Sequence, residues 1–232
     1  MNSLNKTFIA FAFLAFTLTP ILLCAQIKKP LIDFEKEREF LILPSAYYTP
    51  ETKWAFGAVA IGFFHLNKKD TISPVSNAAM SFAYTLNDQI LFQAPFNLYF
   101  KQDIMRILGE VAYYRYPYFF SGVGNGYPED FTENYSASFP RFQIVVLRKV
   151  WKNLYTGPRL FLQNTTMEKV IVGGLFESGN VPGGRGGVAN ALGWDIRLDA
   201  RNNVYAPTKG YYFKTSMLVF EKFIGSNFDF NH

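Results

Sequence analysis

From residue 40 onward the chain alternates apolar and polar positions with a period of two and shows no helical stripe of useful length. Apolar-rich segments at Phe40–Tyr48, Trp54–Leu66, Ala78–Thr85, Ile90–Phe100 and Met105–Tyr116 predict strands, followed by Arg141–Trp151, Leu154–Asn164, Gly193–Arg201 and Gly210–Lys222. That is about nine long strands. Thr49-Pro50-Glu51-Thr52, Leu86-Asn87-Asp88, Trp151-Lys152-Asn153 and Asn202–Gly210 predict turns, and Asn67–Ser76, Phe119–Ala137 and Gly173–Gly187 predict longer connections. In the fourth segment, about a dozen residues long, Ile90, Phe92, Ala94, Phe96, Leu98 and Phe100 alternate with Gln89, Gln93, Asn97 and Lys101. Pro95 lacks a ladder donor, which predicts a bulge or an edge there.

The most informative segment is Gly193 to Phe213. Asp195, Arg197, Asp199 and Arg201 stand at every second position, with Trp194, Ile196 and Leu198 between them. One face of this strand is therefore a ladder of charge and the other is apolar. A soluble sandwich would turn the charge to water. A transmembrane barrel turns it inward and the apolar face to lipid.

Three features favour the barrel. A strand needs roughly 9 to 11 residues to cross a bilayer, against 5 or 6 for an ordinary globular strand, and several segments here are of the longer kind. Aromatics make up 18% of the chain, with 25 Phe and 14 Tyr, as expected of strands and of the aromatic girdles of outer-membrane barrels. Finally, a positive start, an apolar block from Phe8 to Leu23 and Cys24-Ala25-Gln26 resemble a secretory signal peptide cleaved after Ala25. A membrane-spanning helix is disfavoured by Pro20, and a lipid anchor on Cys24 by Leu23 before it. The expected organisation is a signal peptide over 1–25, a short periplasmic segment over 26–39 and an outer-membrane barrel over 40–232.

Cleavage would leave 22 basic against 18 acidic side chains, a formal +4 too slight to imply nucleic acid. Cys24 is the only cysteine, so the expected mature chain has neither disulfides nor thiolate metal sites. No cofactor or metal site is expected, and no enzyme. The two histidines, His65 and His232, lie far apart, and His65 at a strand end suits packing better than catalysis. Gly122-Val-Gly-Asn-Gly126 is not followed by a helical pattern, and Pro182–Gly187 lacks the Gly-Lys-Ser/Thr of a phosphate loop. Both read as loops. The ladder is open to two roles: mutual charge pairing within a lumen, or gating and substrate contact.

Asp199-Ala-Arg201-Asn202, continuing to Pro207-Thr-Lys-Gly210, resembles the Asp-x-Arg-Asp/Asn and Pro-Thr-Arg/Lys-Gly signature of the bacterial surface antigen family, the BamA/TamA-like barrels. Tyr118–Gly126 and Leu43–Thr52 resemble further segments of that family. The resemblance implies a sixteen-stranded antiparallel barrel, usually preceded by periplasmic POTRA domains, that inserts or exports proteins at the bacterial outer membrane. It implies outer-membrane lipid as a partner, together with unfolded outer-membrane proteins or an assembly complex. Residues 26–39 leave no room for a POTRA domain, and the family's Val/Ile-Arg-Gly-Phe tetrapeptide does not occur. The expected fold is therefore an all-β, incomplete barrel: the N-terminal part of a longer one, or a short relative. A passive pore or structural barrel is the alternative function.

Overall fold

Alternation of side chains about an extended backbone produces one antiparallel meander. The computed structural model describes residues 38–231 apart from 51, 123–125, 127, 129, 130, 179, 180 and 182. The expected signal peptide, nearly all of the segment preceding the strands, His232 and the centre of Gly122–Gly126 lie outside the described residues.

The strands are β1 (Arg38–Thr49), β2 (Lys53–Phe64), β3 (Ser76–Thr85), β4 (Ile90–Phe100), β5 (Met105–Phe120), β6 (Glu133–Trp151), β7 (Leu154–Lys169), β8 (Gly187–Asp199) and β9 (Tyr212–Phe220). A tenth, β10, spans only Phe230–Asn231. They lie side by side in sequence order in a single sheet. The expected nine long antiparallel strands are present, but the sheet is not closed into a barrel: among the described residues β1 pairs only with β2, and β10 covers only two residues of β9. Among the described residues no helix is long and apolar enough to cross a membrane.

Three local expectations are corrected. The connection expected over Phe119–Ala137 shrinks to 121–132, because β5 and β6 continue pairing to Phe120 and Glu133. Rings hold that extension, with Tyr114 stacked on Phe139 at 5.1 Å and Tyr118 on Tyr135 at 5.5 Å. Pro95 makes neither a bulge nor an edge: β3 and β4 keep one register on both sides of it, from Asn77↔Asn97 to Ser81↔Gln93. It interrupts the ladder without shifting it. The Gly173–Gly187 connection contains a single helical turn, α1 (Leu175–Ser178), whose first amides are bound by Glu133: Leu175 N donates to Oε2 at 2.7 Å and Phe176 N to Oε1 at 3.3 Å. Phe176 is buried against Tyr135 and Phe120, with ring centroids 4.3 and 5.0 Å away.

The two faces of the sheet differ. On one lie Phe40, Trp54, Phe56, Met80, Phe82, Val111, Leu192, Trp194, Ile196, Phe213 and Met217, all exposed. On the other lie Asn77, Gln93, Asn97, Arg106, Gln143, Arg159, Gln163, Asp195 and Asp199, with small packed clusters such as Val145, Leu147 and Tyr155. The expected alternation in β4 is realised, since Ile90, Phe92, Phe96, Leu98 and Phe100 share the register positions of the exposed face.

Candidate functional site

The polar face is built by register. Antiparallel partners point the same way, so Tyr155, Arg197 and Lys214 form one row across β7, β8 and β9, and Gly157, Asp195 and Ser216 the next. Asp195 is completely buried and Asp199 is 6% exposed, whereas Ile196 between them is 42% exposed. Thus the charged side of the ladder is the covered one. Arg197 Nη2 donates to Asp195 Oδ2 at 2.9 Å, and Arg159 Nη1 lies 3.5 Å from Oδ1 of the same carboxylate. Arg201 is not a strand rung, since β8 ends at Asp199, but it turns back onto that residue through Nε and Nη2 at 2.8 and 3.0 Å.

A second partner of Asp199 comes from three strands away. Arg106 Nη1 of β5 donates to Asp199 Oδ2 at 2.7 Å. Three strand spacings on a flat sheet are about 14 Å, so the contact requires the sheet to curl toward its polar face. Arg106 also holds Asp103 through Nε and Nη2 at 2.8 and 3.0 Å, and its guanidinium lies 3.7 Å from the centre of the Tyr155 ring. The Tyr155 hydroxyl donates to Asp103, and Lys149 Nζ stands 3.4 Å from the same carboxylate.

Asp103 continues this network into the connections. Its backbone N–H donates to Ser73 Oγ at 2.7 Å, and Ser73 Oγ donates to Asp70 Oδ2 at 2.7 Å. Asp70 also accepts from the backbone N–H groups of Gln102, Ser73 and Ile72 at 2.8, 3.0 and 3.2 Å. Burial opposes ionisation of this carboxyl, but the donors from Ser73, Gln102 and Ile72 prevail and hold it down at about 2. One polar network therefore ties the β2–β3, β4–β5 and β8–β9 connections together at one end of the sheet. Three acids, Asp70, Asp103 and Asp199, meet three bases, Arg106, Lys149 and Arg201. Its charges balance, which is the condition for stable burial of ions.

The β8–β9 connection accounts for most of the turn motif. Asn202 Oδ1 accepts from the N–H groups of Thr208 and Lys209 at 3.0 and 2.9 Å, and its own N–H donates to Lys209 O at 3.1 Å. Arg201 Nη1 donates to Val204 O at 3.1 Å. The hydrogen bonds to Asp199 raise the Arg201 guanidinium above its ordinary range, against the opposing effect of burial. Gly210 has φ 102, and a Cβ there would stand 2.0 Å from Ala200 O. Pro207 is exposed. From the tip of the connection Tyr205 reaches β2 and β3: its hydroxyl lies 2.5 Å from Val75 O and 3.2 Å from Asn77 Oδ1, and its ring meets Phe63 edge-on at 5.5 Å. Burial pushes this hydroxyl up, which keeps it a donor.

The ladder residues Asp195, Arg197, Asp199 and Arg201 are thus brought together, as are the turn residues Asp199, Arg201, Asn202 and Gly210. Their long-range partners Arg106, Asp103, Asp70 and Tyr205 could not be paired from sequence, although Arg106, Tyr155 and Arg159 were in phase with the polar face. His65 lines an open cavity of about 430 Å³ with Glu39, Phe40, Phe63 and Leu66, and among the described residues no serine, cysteine or second histidine borders it. Among the described residues no group of three or more His, Cys, Asp or Glu is placed to hold a metal. The chain matches no protein-family model, no curated protein and no solved structure.

Proposed function

We propose that the sheet of β1–β10 is part of a transmembrane β-barrel of the bacterial outer membrane, of the bacterial surface antigen (BamA/TamA-like) type, and that it serves in assembly, insertion or export of outer-membrane proteins. The observation that carries the membrane reading is the inverted distribution of its faces: Asp195 and Asp199 are buried while Leu192, Trp194 and Ile196 are exposed. Water would select the opposite arrangement, and hydrocarbon selects this one. The dimensions agree. From Trp54 to Phe64 on β2 the exposed face rises about 33 Å along the strand, which at the usual barrel tilt spans about 25 Å of membrane.

The assembly role rests on the family resemblance, and the turn Asp199–Gly210 supports it, because Asp199, Arg201, Asn202 and Gly210 each have a structural task there. In hydrocarbon every strand edge must be paired. The outer edges of β1 and β9 would then each receive a further strand, from this or another chain. A passive pore is the second reading, favoured by the Gln and Asn side chains of the polar face at positions 93, 97, 143 and 163.

Quantitative proteomics of outer membranes from a deletion strain tests the first reading. Depletion of several unrelated barrels is expected. An unchanged outer-membrane proteome, with single-channel conductance of the purified protein in planar bilayers, would replace assembly by the pore.

A further inference from the structure

The polar face carries a second charge cluster, at mid-strand, and unlike the network at the sheet end it does not balance. Arg197 and Lys214 are direct partners across the β8–β9 ladder and point to the same face. Like charges so placed repel. Arg159 reaches in from β7, past Gly193, to lie 3.5 Å from Asp195 Oδ1 and 3.4 Å from Ser216 Oγ, while Gln143 Oε1 fixes its Nη2 at 3.0 Å. Among the described residues Asp195 is the one acid paired with Arg159 and Arg197, and Asp199 is engaged by Arg106 and Arg201.

Two further observations point to a missing anion. Arg159 Nε is a buried donor without a hydrogen-bond partner among the described residues, while Asp195 Oδ1 faces the Arg159 guanidinium at 3.5 Å. Lys214 makes no hydrogen bond or ion pair with any described residue, and both it and Ser216 are exposed on this face. An unsatisfied donor beside an excess of two positive charges is a costly arrangement for a protein wall and a favourable one for a dianion.

We infer that Arg159, Arg197, Lys214 and Ser216 form a binding site for a phosphate group, either free or borne on a lipid headgroup. Cations converging from three strands suit a tetrahedral oxyanion, whose acceptors point several ways, better than a planar carboxylate that one guanidinium fork satisfies. This inference concerns three adjacent strands and holds whether or not the protein assembles others.

The test uses the full chain folded in dodecyl maltoside, a detergent without phosphate. Thermal unfolding is followed against inorganic phosphate, against a soluble short-chain phosphatidic acid, and against sodium chloride at matched ionic strength. A rise in melting temperature with inorganic phosphate supports the site with a free ligand, and a rise with the lipid alone supports it with a headgroup. Lys214→Gln is expected to raise the melting temperature in chloride, by relieving the repulsion from Arg197, and to weaken phosphate binding about tenfold, the loss of one charge-assisted contact. Lys214→Arg should keep the binding. The inference is overturned if neither phosphate compound exceeds chloride, or if Lys214→Gln binds phosphate as well as the unaltered protein does. A lower melting temperature for Lys214→Gln in chloride overturns it too.

Discussion

Replacing Leu192 by arginine separates a lipid-facing sheet from a water-facing one more sharply than any change at the charged positions. Leu192 is 46% exposed, lies near the middle of β8, and pairs with Leu160 and Val219 on the same face. If that face meets hydrocarbon, an arginine near mid-depth costs about 2–4 kcal/mol. If it meets water, the same change at an exposed site stays within about 0.5 kcal/mol. Ile72→Arg supplies the control, because Ile72 is 64% exposed but lies in the β2–β3 connection, outside the strands. Urea unfolding from short-chain phosphatidylcholine vesicles, followed by tryptophan fluorescence, measures both. Leu192→Arg should lose at least about 2 kcal/mol and Ile72→Arg almost nothing. Two small and equal losses would refute it.

Three other outcomes follow from the network at the sheet end. Arg106→Leu removes the shared partner of Asp103 and Asp199 and should destabilise by about 3 kcal/mol, the low end for a broken buried pair because Lys149 and Arg201 remain; urea unfolding measures it. Gly210→Ala combines a positive φ with a Cβ clash against Ala200 O, and should cost about 1–3 kcal/mol in the same assay. Asp70 is held at about 2 in the folded protein against 3.8 ordinarily, so its stabilisation is complete above about pH 4 and is lost as the pH falls toward about 2. The difference in urea midpoint between the unaltered protein and Asp70→Asn should therefore shrink to nothing across that interval; a constant difference would count against the hydrogen bonds assigned to Asp70.

Which residues share a face was legible wherever polar and apolar positions alternate. In β4 and β8 the phase of Gln93, Asn97, Asp195 and Arg197 is the phase observed. Legibility failed in the extension of β5, because Tyr116, Tyr118 and Phe120 on the inner side alternate with Pro117 and Phe119 on the other. With rings on both faces the period of two carries no contrast, and the segment reads as a loop. The Arg106–Asp199 pair was beyond sequence for another reason: 93 residues separate its members, and only the curl of the sheet makes them neighbours. Asp70 was hidden likewise. Its partners Ser73 and Gln102 come from two connections that share an end only once β3 and β4 have paired.

The central claim, that the exposed apolar face meets lipid, is tested most directly by the three tryptophans. Trp54 and Trp151 stand at opposite ends of the sheet and Trp194 near mid-strand, all exposed on that face. In single-tryptophan variants reconstituted with phosphatidylcholines brominated at different acyl depths, Trp194 should be quenched most by the deepest bromines and Trp54 and Trp151 by the shallowest. Trp194 fluorescence indifferent to every bromolipid but quenched by aqueous iodide would contradict the account.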